Sequence, residues 1–171
     1  TMPAPGSIVA AAAGESQDYS IWPAFARSAV AAIRLVDPSG LIYVSGNENS
    51  KASALGVYNP GFPLVGSNIV YEVNVYLDAS ASGSRFDYDH EVSLNFHDGG
   101  FGPIDANTGV ERVMAAINWA ATNNVPLAVT ETGLPLQREG GVVDDRWATM
   151  FTAMLDACFS NNVEVMTRYG G

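Results

Sequence analysis

Apolar positions change their period along the chain, and each change marks an element. Residues 7–13, SIVAAAA, run apolar between Gly6 and Gly14 without alternation, the pattern of a strand buried on both faces. Trp22, Phe25, Ala29, Ile33 and Val36 then recur at three- and four-residue steps, which predicts a helix over 20–36. Pro23 suits its first turn, and DPSG at 37–40 stops it. LIYVSG, 41–46, reads as a second short buried strand. Residues 47–67 are dense in Gly, Pro, Asn and Ser and read as loop. NIVYEVNVYL, 68–77, is rich in Val and Tyr and predicts a strong strand.

The stretch 79–107 is rich in Asp and Gly and reads as a surface excursion, within which EVSLNF forms either a short strand or a helix. Thr108 and Glu111 stand at capping-box spacing, so a helix should begin there, with Asn123 and Asn124 as its terminators. VPLAVTE, 125–131, predicts a strand and 134–143 a loop. Asp144 is placed to cap a helix over 145–160, and VEVMTR, 163–168, predicts a last short strand. The order is β-α-β-loop-β-loop-α-β-α-β. Short apolar strands alternating with amphipathic helices imply an α/β fold, a parallel sheet covered by helices.

Composition narrows the function classes. The 171 residues suffice for one domain with a real core, and 47% hydrophobic against 15% charged residues reads as globular. A net charge of −10 argues against nucleic acid and anionic membrane as partners, because phosphate is repelled. A neutral polymer such as a polysaccharide is unaffected. Cys158 is the only cysteine, so neither an intramolecular disulfide nor a thiolate metal cluster is expected, and its helical spacing among apolar residues predicts a buried thiol. No apolar run approaches the roughly 18 residues that a membrane helix needs. The first residues, TMPAPG, are neither basic nor long enough for a signal peptide, while a mature chain is compatible with a leader already cleaved.

In parallel α/β architectures ligands meet the carboxyl ends of the strands. Glu15, Glu48, Asp78 and Glu131 all follow predicted strands. Two carboxylates facing one cleft suit hydrolysis of a glycosidic bond: one stays ionised and attacks the sugar carbon, and the other donates a proton to the leaving oxygen. A strand-end acid equally serves to cap a helix or to sit solvated in a loop.

Ordered segments distinguish the cases. IWPAFARSAVAAIRLVDPSGLIYVSGN, NIVYEVNVYLD, ANTGVERVMAAINWAATNNVPLAVTETG and NNVEVMTRYGG resemble, in order, the fifth, sixth, seventh and eighth strand regions of glycoside hydrolase family 5, the cellulase-type retaining β-glycanases. The resemblance runs over nearly the whole chain, roughly strands four to eight, and implies one domain over 1–171 built as a partial TIM (β/α)8-type barrel lacking its N-terminal strands. It implies Glu131 as nucleophile, Glu15 as acid/base, and Tyr76 as the tyrosine that hydrogen-bonds the nucleophile. Asn74, Asn47 and Arg168 fall at substrate-binding places.

The resemblance further implies a polysaccharide or oligosaccharide substrate, no metal or organic cofactor, and an extracellular location. Four positions depart from the family pattern: Gly14 stands for an Asn, Ser16 for a Pro, Asn74 for a His and Arg168 for a Trp. These departures favour the alternative of a catalytically inactive relative that binds carbohydrate or acts in assembly. Trp22, Trp119 and Trp147 are expected in the core rather than as sugar platforms.

A full barrel of this type needs about 250 residues. Five strands of eight should leave two edges and an apolar inner face in need of cover. An open sheet with some self-association, or a complementing chain, is the expected outcome.

Overall fold

A computed structural model of the protein describes residues 18–98, 100–134 and 144–165. Helix α1, Ile21–Arg34, leads into strand β1, Ile42–Ser45. Two single-turn 3₁₀ segments, Glu48–Ser50 and Ala52–Ala54, precede strand β2, Ile69–Val75. The excursion after β2 holds a short helix α2, Tyr88–Ser93, and a two-stranded hairpin of β3, Phe96–His97, and β4, Gly100–Phe101. Helix α3, Thr108–Asn123, strand β5, Leu127–Thr132, helix α4, Asp145–Ser160, and strand β6, Glu164–Val165, complete the described chain.

The main sheet is parallel throughout, in the order β1-β2-β5-β6. Four strands of an α/β sheet are therefore described, and the expected strand over 7–13 lies outside the described residues. On one face Tyr71, Val73 and Val75 of β2 and Leu127 and Val129 of β5 pack against α3 and α4, whose Val113, Ala116, Trp147, Met150 and Met154 are buried. Trp119 sets its edge on Tyr71, with ring centroids 5.0 Å apart. Trp147 is fully buried, and Trp22 and Trp119 are half-buried against the same core, as expected of core tryptophans. Cys158 is buried, and burial pushes its thiol up to about 11.

Helix ends follow the sequence in part. Asp144 caps α4 by accepting from Arg146 N at 2.9 Å, and Asn124 closes α3 in the left-handed conformation, φ 52°. The capping box at Thr108 does not form. The helix starts one residue earlier on its cap, Asn107, and the Thr108 hydroxyl instead accepts from Asp105 N at 2.9 Å, serving the preceding turn.

Two further expectations are corrected. The stripe of Phe25, Ile33 and Val36 is not the buried face of α1, which is Pro23, Ala26 and Val30; Phe25 is 68% and Val36 85% exposed. Among the described residues, the face of the sheet away from α3 and α4 carries Ser45, Glu72, Asn74 and Glu131 with the half-buried Tyr43, and its aliphatic members Val70 and Ala128 are buried.

Candidate active site

The candidate site lies at the carboxyl ends of β2 and β5. Strand alternation sends Tyr71, Val73 and Val75 to the helices, and Glu72, Asn74 and Tyr76 to the other face. Strict alternation along β5 would put Ala128 and Thr130 on that second face and turn Glu131 into the helices. The register breaks this pattern. Glu72 pairs with Ala128 and Val73 with Val129, but Asn74 pairs with Glu131 and Val75 with Thr132. One extra residue at Thr130 makes a bulge, which re-aims Glu131 to the face of Asn74 and Tyr76. Thr132 is thereby turned inward, and its hydroxyl donates to the Val75 carbonyl at 2.7 Å.

Glu131 is exposed, and the Tyr76 hydroxyl donates a hydrogen bond to its Oε1. Asn74, the register partner of Glu131, gives its amide to the Asn49 carbonyl at 2.8 Å. One strand further out, Ser45 donates its hydroxyl to Glu72.

Arg112 on α3 holds this end of β2 in place. The side chain is 3% exposed and donates to the carbonyls of Tyr76, Asp78 at 2.9 Å, Ala79 at 3.1 Å and Asp98 at 3.0 Å. Burial lowers its pKa from the usual guanidinium value, against the opposing pull of Asp98 and Asp78. The guanidinium stays charged, and its fixed fork suits four diverging carbonyls.

Other strand-end acids have local duties. Asp78 is fully buried and accepts from Ser82 N at 3.0 Å and Gly83 N at 2.7 Å, folding the start of the excursion. Glu48 accepts from the Tyr19 hydroxyl at 3.0 Å. Asn47, expected to bind substrate, is fully buried and gives both amide hydrogens to backbone, to the Tyr19 carbonyl at 2.9 Å and the Tyr58 carbonyl at 2.7 Å. Both of its donors are spent on backbone, so it braces the turn after β1. Glu15 and Arg168 lie outside the described residues.

The structure thus joins Glu131, Tyr76 and Asn74 at one place. Sequence reasoning missed Arg112, although a signal was present: a lone charge on the stripe Thr108, Arg112, Ala116, Ala120 that otherwise faces the core. Among the described residues no group of three His, Cys, Asp or Glu side chains could hold a metal ion, and no helix is long and apolar enough to cross a membrane.

Comparison with known proteins gives this geometry a context. Residues 12–167 match the family model described as Cellulase (glycosyl hydrolase family 5). No curated protein sequence matches the chain. Among solved structures, the endoglucanase Cel5A of Pseudomonas stutzeri in complex with cellobiose is 28% identical with a TM-score of 0.70, covering 88% of this chain and 41% of its own. The endo-β-1,4-glucanase Xac0029 of Xanthomonas axonopodis pv. citri is 20% identical with a TM-score of 0.66, covering 90% of this chain and 45% of its own. Cel5A (EG2) of Hypocrea jecorina is 20% identical with a TM-score of 0.60, over 89% of this chain and 43% of its own, and like Xac0029 speaks to the fold alone. The chain therefore spans about two fifths of the length of the structures it matches.

Proposed function

Because the chain belongs to glycosyl hydrolase family 5, whose model covers residues 12–167, we propose that it is a retaining hydrolase of β-linked polysaccharide of the endo-β-glucanase kind. The observation that carries this reading is the bulge-directed pairing of Glu131 with the Tyr76 hydroxyl at the carboxyl end of a parallel sheet. An exposed carboxylate oriented through one oxygen can attack an anomeric carbon with the other. The Tyr76 O–H fixes the carboxylate plane and tempers its charge until the sugar bond forms.

Glu15 is the proposed acid/base. It would protonate the leaving oxygen and then activate the water that releases the sugar from Glu131, a double displacement that needs the two carboxyl groups about 5 Å apart. Asn74 flanks the nucleophile as the proposed substrate-side amide, and Arg168 remains a proposed substrate contact. A β-1,4-glucan oligosaccharide is the proposed ligand, in keeping with the cellobiose complex of the Pseudomonas stutzeri enzyme. An extracellular location is the proposed one, since a polymeric glucan of this kind is met outside the cell.

Glu131→Gln should abolish phenol release from an aryl β-cellobioside while leaving the melting temperature within about 2 °C. A wild-type chain inert on every β-glycan and aryl glycoside would overturn the enzymatic reading. Asn74, which stands where the family carries a titratable His, favours a second reading, a saccharide-binding relative without turnover. In that case oligosaccharide binding measured by calorimetry persists in Glu131→Gln while neither protein hydrolyses anything.

We also infer that the exposed stripe of α1 is covered by a second copy of the chain or by a complementing chain. Phe25 and Ile33 on the helix, and Val36 in the turn after it, leave apolar side chains exposed there.

A further inference from the structure

Two residues of the β2 segment flank the candidate nucleophile. Tyr76 donates its hydroxyl to Glu131, and Asn74 is the register partner of Glu131. Strand geometry spaces Asn74 from Tyr76 but leaves the pose of each side chain to its support. The Tyr76 carbonyl is held by Arg112 on α3. Asn74 is held by the turn after β1, where its amide donates to the Asn49 carbonyl at 2.8 Å and its backbone forms a parallel bridge with Lys51.

Asp98, in the excursion, joins the two supports. Its backbone belongs to the first. Asp98 N donates to the Ala79 carbonyl at 2.6 Å, and the Asp98 carbonyl accepts at 3.0 Å from Arg112 Nε, on the same guanidinium that donates to Tyr76. Its carboxylate belongs to the second. Oδ1 lies 3.5 Å from Lys51 Nζ, and Oδ2 accepts from the Ser53 hydroxyl at 3.0 Å. Lys51 is the only lysine of the chain.

Folding stability does not account for this pair. The Lys51 and Asp98 side chains are 25% and 29% exposed, and an ion pair that open to water adds little to folding, because solvent screens the attraction and ordering the side chains opposes it. The turn that the pair grips is strained. Glu48, Asn49 and Ser50 hold φ of 54°, 54° and 57°, the left-handed region that a side chain disfavours. Such a backbone persists only where its surroundings hold it. Gly46 N donates to the Ser50 hydroxyl at 2.8 Å and Asn47 N to Asn59 Oδ1 at 2.7 Å, which fastens one side of the turn. Lys51 and Ser53 fasten the other side to Asp98. A strained turn that loses a tie shifts, and it takes with it the Asn49 carbonyl that orients Asn74. Small shifts matter beside a reacting carboxylate, since a misplacement of about 1 Å can cost about 100-fold in rate.

We propose that Asp98, paired with Lys51, is a positioning residue for Glu131: it fastens the turn behind Asn74 to the clamp behind Tyr76, so that the two neighbours of the nucleophile keep one mutual pose. The inference rests on the hydrolase reading for the reaction served. The pair acts through Asn74 and Tyr76 and not on the sugar, so its loss lowers turnover and spares binding.

Kinetics on an aryl β-cellobioside with Lys51→Met, Asp98→Ala and the double variant test this role. Each single variant should lower kcat about tenfold with KM within about twofold, and the double should be no slower than either, as for two groups that serve one tie. Lys51→Arg keeps the charge and should stay within about threefold of wild type. Acetylation of the folded wild-type protein, followed at Lys51 by mass spectrometry, removes the charge without a refolding step. It should reproduce Lys51→Met, whereas reductive methylation, which keeps the charge, should not. Wild-type kcat in both single variants, losses that multiply in the double, or a rise in KM with kcat unchanged overturns the positioning role and leaves the hydrolase reading standing. A wild-type chain without hydrolysis overturns that reading instead, and amide hydrogen exchange then tests the tie. Asp98→Ala should speed exchange about fivefold in residues 46–53 and 71–77 and leave 145–160 unchanged. Exchange that is unchanged in both segments, or raised equally in α4, overturns the tie itself.

Discussion

Glu131 depends on three neighbours: Thr130 bulges to turn it, Tyr76 holds its Oε1, and Arg112 holds the Tyr76 carbonyl. The contributions separate by measurement. Tyr76→Phe keeps the ring and removes the hydroxyl, so kcat on an aryl cellobioside should fall about 10- to 100-fold with KM little changed. An unchanged kcat would show that the hydroxyl does not serve the reaction. Arg112→Met leaves buried carbonyls without donors and should cost about 3 kcal/mol in urea unfolding. A loss below about 0.5 kcal/mol would mean that the excursion stands without its clamp. Cys158 lies apart from this chemistry. With its thiol buried and pushed up to about 11, it should resist a thiol reagent at pH 8 and react only as fast as the chain unfolds. Rapid labelling in native buffer would contradict that placement.

Elements were legible in the sequence where a single physical signal governed them. Helices α1, α3 and α4 and strands β1, β2 and β5 follow from apolar period and punctuation, because core burial enforces both. The cap at Asp144 was legible because its carboxylate bonds the Arg146 N–H two residues on, whereas at Thr108 the preceding turn took the hydroxyl. Asp144→Ala should cost about 1 kcal/mol, and Asp144→Asn less. The bonds from Arg146 hold the Asp144 carboxyl below its ordinary range. Its contribution is therefore present above the ordinary carboxylate pKa and is lost as pH falls through the depressed folded value. Urea unfolding of both proteins at pH 7 and again at about pH 2 checks the sign; a stability gap that widened in acid would contradict it.

The Thr130 bulge was not legible. Nothing in PLAVTET distinguishes a strand that alternates from one that gains a residue, so the facing of Glu131 followed from family resemblance and not from period. The left-handed turn at 48–50 was hidden for a similar reason. Its conformation is held by Asn59, which accepts from Asn47 N, and by Asn74, which donates to the Asn49 carbonyl, residues distant enough along the chain that no local pattern announces them.

For the whole molecule, apolar surface and charge oppose one another. Of the stripe that reads in sequence as the buried side of α1, Phe25 and Ile33 are exposed, because Pro23, Ala26 and Val30 take the core. That surface favours association, while a net charge of −10 resists it. Salt screens the charge and leaves the apolar contact, so sedimentation velocity should show more association at about 0.5 M than at about 0.05 M salt. Phe25→Asp should keep the chain monomeric at both. Association that weakens with salt, or that ignores Phe25→Asp, would place the contact elsewhere.

The most direct test of the proposed chemistry is covalent capture. A 2-deoxy-2-fluoro β-cellobioside with a dinitrophenyl leaving group slows release of the sugar from a carboxylate nucleophile, so that the glycosyl-enzyme accumulates. Peptide mass spectrometry after incubation should find the added fluorosugar on Glu131 in the wild-type chain and none in Glu131→Gln. A sugar attached to another carboxylate, or a wild-type Glu131 still unmodified after prolonged incubation, would contradict its role as nucleophile.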